Sequence, residues 1–199
     1  LPFYEGKKII ETSKVKKALE SMPKGAHLHL HVSAAVPLRL LLNFTYEDIV
    51  YFNPDVNKLL ASPNGPAGPG YIKWNDLRKN WTKGGNFDEF LRNLILLSPD
   101  DIVTKESTII WKNFQPKFSV VSGLFNHPPF LKQSLVELGK VAIQEKVNIL
   151  ELRKSIGGLF DGNIVKELDL YQEAFDELKK IEPTFEMRLI ITAPKVSGT

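Results

Sequence analysis

The densest set of side chains able to bind a metal is His27-Leu28-His29-Leu30-His31. On a β-strand, residues two apart point to the same face, so the three imidazoles would project together. Neutral imidazole is a good zinc ligand, and a catalytic zinc takes three protein ligands and leaves one position to water. Zinc brings the pKa of that water close to neutrality, so hydrolysis is the chemistry such a cluster could serve. Spacing alone leaves two readings open: a metal site, or three histidines on an exposed strand. The chain has no cysteine, which excludes disulfides, thiolate zinc sites and thiol nucleophiles. After His31 the remaining histidine is His127, beside Pro128-Pro129 in a turn-forming context.

The segment that must hold the cluster, Ala26 to Val32, alternates apolar and polar residues with the period of a strand. Before it, residues 5–21 carry Ile9, Ile10, Val15, Ala18 and Leu19 at helical spacing, and Pro23 ends the pattern. After it, residues 36–43 read as an inward-facing helix. From Thr45 to Ile72 the periodicity breaks down among Asn53-Pro54, Ser62-Pro63-Asn64-Gly65-Pro66 and Gly68-Pro69-Gly70, which is turn chemistry. A loop this long is uncommon in a compact domain and is usually functional or inserted. Helical patterning returns over Phe87 to Leu97, Pro99 to Leu124 and Pro128 to Lys146, the last with a stripe of Leu131, Leu135, Leu138 and Val141. Asn148 to Arg153 reads as a second strand. Tyr171, Ala174, Phe175 and Leu178 mark an amphipathic helix over 165–180, and Met187 to Ala193 reads as a third strand.

Three strands separated by long helical segments predict an α/β fold with a parallel sheet. A three-strand parallel sheet leaves an edge unpaired, so more protein beyond Thr199, or a partner on that edge, is expected. The net charge of +3, from 26 basic and 23 acidic residues, is too balanced to imply a nucleic-acid or anionic-membrane partner. The basic run Lys14 to Lys17 fits a solvated helix face. No apolar run approaches the roughly 18 residues a membrane span needs. Two N-x-Thr sequons, at Asn43 and Asn80, permit a secreted protein without requiring one.

Met22-Pro23-Lys24-Gly25-Ala26-His27-Leu28-His29-Leu30-His31 resembles the start of the first barrel strand in adenosine deaminases, where a Met-Pro-Lys lead-in precedes a His-x-His zinc pair. The likeness is to the growth-factor branch, which includes adenosine deaminase 2. It continues through Trp74 with Leu77-Arg78-Lys79, Phe87 to Asn93, Trp111 to Phe118, Ser122-Gly123-Leu124, Glu151-Leu152-Arg153 and Tyr171-Gln172-Glu173. Nearly the whole chain is covered, in order.

The resemblance implies a partial TIM (β/α)8 barrel: the first three strands and their helices, with an insertion after the first strand. Active sites of that fold lie at the C-terminal ends of the strands. It implies that His29 and His31 are zinc ligands, with His27 outside the pair in a supporting role. Trp111 and Gln115 would contact the substrate, and the alternative for Trp111 is a core residue on a buried helix. The implied divisions are 1–21, similar to the end of a dimerisation region; 22–44, the first barrel strand and helix; 45–73, an inserted irregular segment; and 74–199, the second and third strands with their helices.

Two positions depart from the branch. Its ribose-binding Asp after the second zinc histidine is Val32 here, and its Glu four residues after the pocket Trp is Gln115. Gln115 can still hydrogen-bond and Val32 cannot. Ser33 is a possible substitute, sharing the face of His31 if the strand runs on regularly. The family's third zinc histidine, its acid Glu and its later His and Asp have no counterpart here, so this chain holds no catalytic acid of its own. The function implied is zinc-dependent hydrolytic deamination of adenosine to inosine, with this chain supplying the N-terminal half of the site. The alternatives are a catalytically inactive binding or structural relative, and a deaminase of a different purine. The expected partners are a purine nucleoside and either a second copy or a C-terminal half, in an extracellular setting with a cytoplasmic one as the alternative.

Overall fold

The computed structural model describes residues 3–66, 68–82, 84–98, 100–103, 106–159 and 161–193. Helices α1 (Phe3–Thr12) and α2 (Lys14–Ser21) lead into β1 (Gly25–His31), followed by α3 (Val32–Ala35) and α4 (Leu38–Phe44). Strands β2 (Val50–Asn53), β3 (Lys58–Ala61) and β4 (Ile72–Lys73) come next, then α5 (Trp74–Lys79), α6 (Phe87–Ile95) and α7 (Ser107–Ser122). The chain continues through α8 (Pro128–Gln144), β5 (Val147–Lys154), α9 (Ile164–Ile181) and β6 (Glu186–Ile191).

Strands β1, β5 and β6 form a parallel sheet in that order, so each strand lies beside the next one of its sheet in the sequence. The α/β reading with a parallel sheet is borne out; a closed barrel is not formed among the described residues. One face of the sheet is covered. Leu150 and Leu152 of β5 are buried, together with Leu131, Leu135 and Leu138 of α8 and Tyr171, Ala174 and Leu178 of α9, in one apolar cluster. Helices α8 and α9 approach closely at Gly139, where a β-carbon would run into the Leu178 side chain. The other face is polar: His29 and His31 of β1 are exposed, and Glu151 and Arg153 of β5 are half-buried. Glu151 meets Arg188 of β6 at 3.6 Å, and Arg188 meets Glu186 at 2.6 Å.

Three expectations need correction. Residues 5–21 form two helices rather than one: Ser13 interrupts the run and its Oγ caps α2 by accepting from Lys16 N at 3.0 Å. Residues 45–73, read as irregular, contain an antiparallel sheet in the order β3-β2-β4. Its strands of four, four and two residues are too short for alternation to stand out among the prolines and glycines. This sheet joins the main core: Val50, Phe52, Leu59 and Ala61 are buried, and Phe52 meets Trp74 edge-on at 5.1 Å. Finally, the first strand stops at His31, and Val32, only 2% exposed, opens α3.

No helix among the described residues is long and apolar enough to cross a membrane.

Candidate functional site

Strand β1 is entered through Gly25, whose φ of +74° suits glycine. Lys24 N donates to the Lys146 carbonyl at 2.8 Å, pinning the strand's start beside the turn before β5. Register then sets His31 opposite Arg153. The Arg153 guanidinium reaches across β1 and donates to the Leu28 carbonyl, tying the ends of the two strands together.

His29 and His31 share a face, as the period of two requires, and their Nε2 atoms are 3.3 Å apart with the rings tilted by 49°. Two imidazoles on one tetrahedral zinc, at bonds of roughly 2.0–2.1 Å, would have their nitrogens about 3.3–3.4 Å apart. The pair therefore suits a single zinc ion. Two ligands are fewer than such a site takes, and no group of three or more His, Asp or Glu is assembled for a metal among the described residues. His27 is exposed, but it pairs with Leu150 and a register shift separates it from Leu30, so strict alternation does not carry it to the face of the pair.

Beyond the pair, α3 replaces the strand, so Ser33 does not share the face of His31 by strand alternation. The turn instead carries Ser33 to a meeting point of three cavities. One of about 760 Å³ is lined by Ser33, Gln115, Lys112 and Ser119. An apolar one of about 350 Å³ lies between Ser33, Leu38, Phe114 and Phe118. The third, a cleft of about 440 Å³ at the strand ends, includes His31, Ser33, Arg153, Lys154, Ser155 and Thr192.

Trp111 and Gln115 lie one turn apart on α7, on the same face. Trp111 is 58% exposed and packs against Phe114 at 5.7 Å, so it is not a core tryptophan. The structure thus brings Gln115 to a cavity shared with Ser33, while Trp111 stands on the open side of the same helix. Val32 is packed in the core and offers no polar contact.

Sequence reasoning singled out Arg153 only as part of a motif and missed Lys154 and its partner. Glu167, fully buried in the first turn of α9, accepts from Gly157 N at 2.7 Å and Gly158 N at 3.0 Å. Its other oxygen lies 3.5 Å from the Lys154 ammonium. One turn on, burial among apolar groups pushes the Tyr171 hydroxyl far above its ordinary pKa, with the Glu167 charge adding to the shift. A glutamate at a fully buried position was the available signal, but in the sequence it looks like any charged residue of an amphipathic helix.

Comparison with known proteins adds to this geometry. The chain is 29% identical to adenosine deaminase 2-A of Danio rerio, over 99% of its own length and 42% of that protein. It is 28% identical to an adenosine deaminase of Lutzomyia longipalpis, over 93% of this chain and 39% of that one. Against adenosine deaminase 2 of Homo sapiens the identity is 28%, over 92% of this chain and 39% of the other. The chain is a homologue of the adenosine deaminase 2 proteins. It spans about two fifths of the length of these adenosine deaminases. No protein-family model matches it.

Proposed function

We propose that this chain forms the N-terminal half of a zinc-dependent hydrolase that deaminates a purine nucleoside, adenosine in the first instance. The observation that carries the reading is the His29–His31 pair, with Nε2 atoms 3.3 Å apart at the C-terminal end of the first strand of a parallel sheet. The sheet itself supports a partial barrel. Its strands follow one another in sequence, helices cover one face, and the opposite face carries histidines and an ion-paired Glu151–Arg188–Glu186 row. Sites of that fold lie at the C-terminal ends of the strands, where His31 stands opposite Arg153.

In the balanced reaction, water adds its oxygen to C6 of the purine, the C6–N6 bond breaks and ammonia leaves. When bound, zinc supplies a water acidic enough to act as nucleophile near neutral pH. His29 and His31 would hold the metal through their Nε2 atoms. Ser33 and Gln115 offer hydroxyl and amide hydrogen bonds to the sugar in the cavity they share, and the exposed Trp111 ring offers a stacking face. No third ligand is assembled beside the pair among the described residues, so this reading assigns that ligand and the group that protonates the ring to another part of the protein. Val32, buried and apolar where a carboxylate would hold the ribose, favours a second reading, in which the protein binds without turnover.

Two further parts belong to this proposal. Asn43 and Asn80, the sequon asparagines, are both exposed, in keeping with a secreted protein. The apolar residues of α1 and α2 are exposed as well, in keeping with a homodimer formed through them.

The test is conversion of adenosine to inosine by natively purified protein with zinc supplied, with and without a chelator, alongside His29→Ala and His31→Ala. The expected result is chelator-sensitive turnover that falls by a factor of about a thousand or more in either variant, together with lost zinc. A folded protein that keeps one zinc per chain and turns over no purine would establish the binding reading instead.

A further inference from the structure

The strand-end cleft has a chemistry that the nucleoside reading does not use. Around its roughly 440 Å³ stand two cations, Arg153 and Lys154, and three hydroxyls, those of Ser33, Ser155 and Thr192, beside His31. None of these hydroxyls has a hydrogen-bond partner among the described residues. Arg153 spends one nitrogen on the Leu28 carbonyl and pairs with no carboxylate among them. Lys154 donates to the Ser155 carbonyl at 3.0 Å and faces Glu167 at 3.5 Å. Counting the buried Glu167 against Lys154, the cleft keeps one positive charge, and no carboxylate is part of its lining.

Glu167 also explains how the wall is held. Its carboxylate grips the backbone of Gly157 and Gly158, fixing the loop that follows β5, and a β-carbon at Gly158 would come within 3.1 Å of the Lys154 ammonium. Backbone hydrogen bonding of Thr192 N to the Lys154 carbonyl, at 3.1 Å, fixes the opposite wall. Hydroxyls lining one cleft with a guanidinium and an ammonium are the groups that bind a tetrahedral oxyanion. The cleft shares Ser33 with the Gln115 cavity, so an anion here would be attached to whatever sugar lies there. No carboxylate lines the Gln115 cavity or the cleft, so an anionic substrate would meet no repulsion there.

We infer that this cleft is a phosphate subsite, and that the substrate is a purine nucleoside 5′-monophosphate rather than the free nucleoside. The inference rests on the deaminase reading for its chemistry, which is unchanged: nucleotide and water give the 6-oxo nucleotide and ammonia.

Zinc-loaded protein would be assayed with adenosine 5′-monophosphate and with adenosine, beside Lys154→Gln. Binding of inorganic phosphate and ribose 5-phosphate to the same proteins would be measured by calorimetry, independently of turnover. The expected result is a kcat/KM for the nucleotide at least tenfold above that for adenosine, with the ratio falling about tenfold in Lys154→Gln. Phosphate binding should weaken in parallel. Thr192→Val removes one hydroxyl without disturbing Glu167 and should weaken phosphate binding even if Lys154→Gln fails to fold. Turnover of adenosine but not of the nucleotide overturns the subsite and leaves the deaminase reading standing. Phosphate binding that needs Lys154 or Thr192, with neither purine turned over, supports the subsite and overturns the deaminase reading. Absence of both phosphate binding and nucleotide turnover overturns the subsite.

Discussion

Arg78 ties together parts of the chain that the sequence keeps apart. Its guanidinium donates to the Thr45 carbonyl at 3.0 Å, to Asn75 Oδ1 at 2.7 Å, to the buried Thr45 hydroxyl at 3.1 Å and to Asp88 at 3.2 Å. It also stacks on the Tyr46 ring at 3.9 Å, and Tyr46 in turn donates to Asp88 at 2.6 Å. That hydrogen bond to a carboxylate is the main cause of the raised pKa of the Tyr46 hydroxyl. A lysine cannot reproduce a planar fork with several fixed donors, so Arg78→Lys should destabilise the fold by about 1–3 kcal/mol, read from urea unfolding. Unchanged stability would show that the network is redundant. At this scale the sequence was legible where local periodicity decides the outcome. The histidine run was legible because a strand repeats every two residues, while the choice of His29 and His31 within it came from the family resemblance. Ser33 was misplaced because the strand ends one residue earlier than its alternation suggests, once Val32 turns into the core. The Lys154–Glu167 pair was invisible because it exists only after α9 folds back over β5.

Among the elements, α8 shows how a helix start can report on pH. His127 precedes Pro128-Pro129, which begin the helix without needing N–H partners, and its ring sits edge-on against Phe130 at 4.9 Å. Burial of the ring lowers its pKa from the ordinary 6.5, partly offset by the charge of Glu47. The sign follows from linkage: the folded state holds the neutral form, so below the unfolded pKa the unfolded chain binds more protons. Stability should therefore be full above about pH 6.5 and decline as pH falls toward the lower folded value. His127→Gln should flatten that slope, measured as the urea midpoint between about pH 5 and 7. A slope that persists in the variant would assign the pH dependence to another group. The long helices α8 and α9 and the strands β5 and β6 were legible because each is long enough to show its period. Strands β2, β3 and β4 were not, since four residues of alternation carry little signal and their pairing depends on Phe52 and Leu59 reaching the core shared with Trp74.

On the scale of the whole molecule, the covered and uncovered surfaces are unevenly distributed. The core lies between the parallel sheet, its two helices and the inserted sheet, while α1 and α2 stand outside it. Their apolar residues Ile9, Ile10, Val15 and Leu19 are 64%, 48%, 67% and 48% exposed. Helices of ten and eight residues are too short to persist in water without a packed face. The ion pairs Lys7–Glu11 and Lys16–Glu20 are both exposed, and solvent-screened pairs of that kind contribute little. Burial against a second copy would supply what the helices lack, and Ile10→Asp together with Leu19→Asp would remove it. The expected outcome is a dimer mass by light scattering for the parent protein and a monomer mass for the double variant. Amide exchange over residues 3–21 should accelerate only in the variant. Neither helix lines the strand-end cleft, so the zinc binding proposed for the His29–His31 pair should be the same in the double variant. A monomeric parent with fast exchange over the same residues would instead leave these helices to be covered by other parts of the protein, and a dimer that survives both substitutions would place the contact elsewhere on the surface.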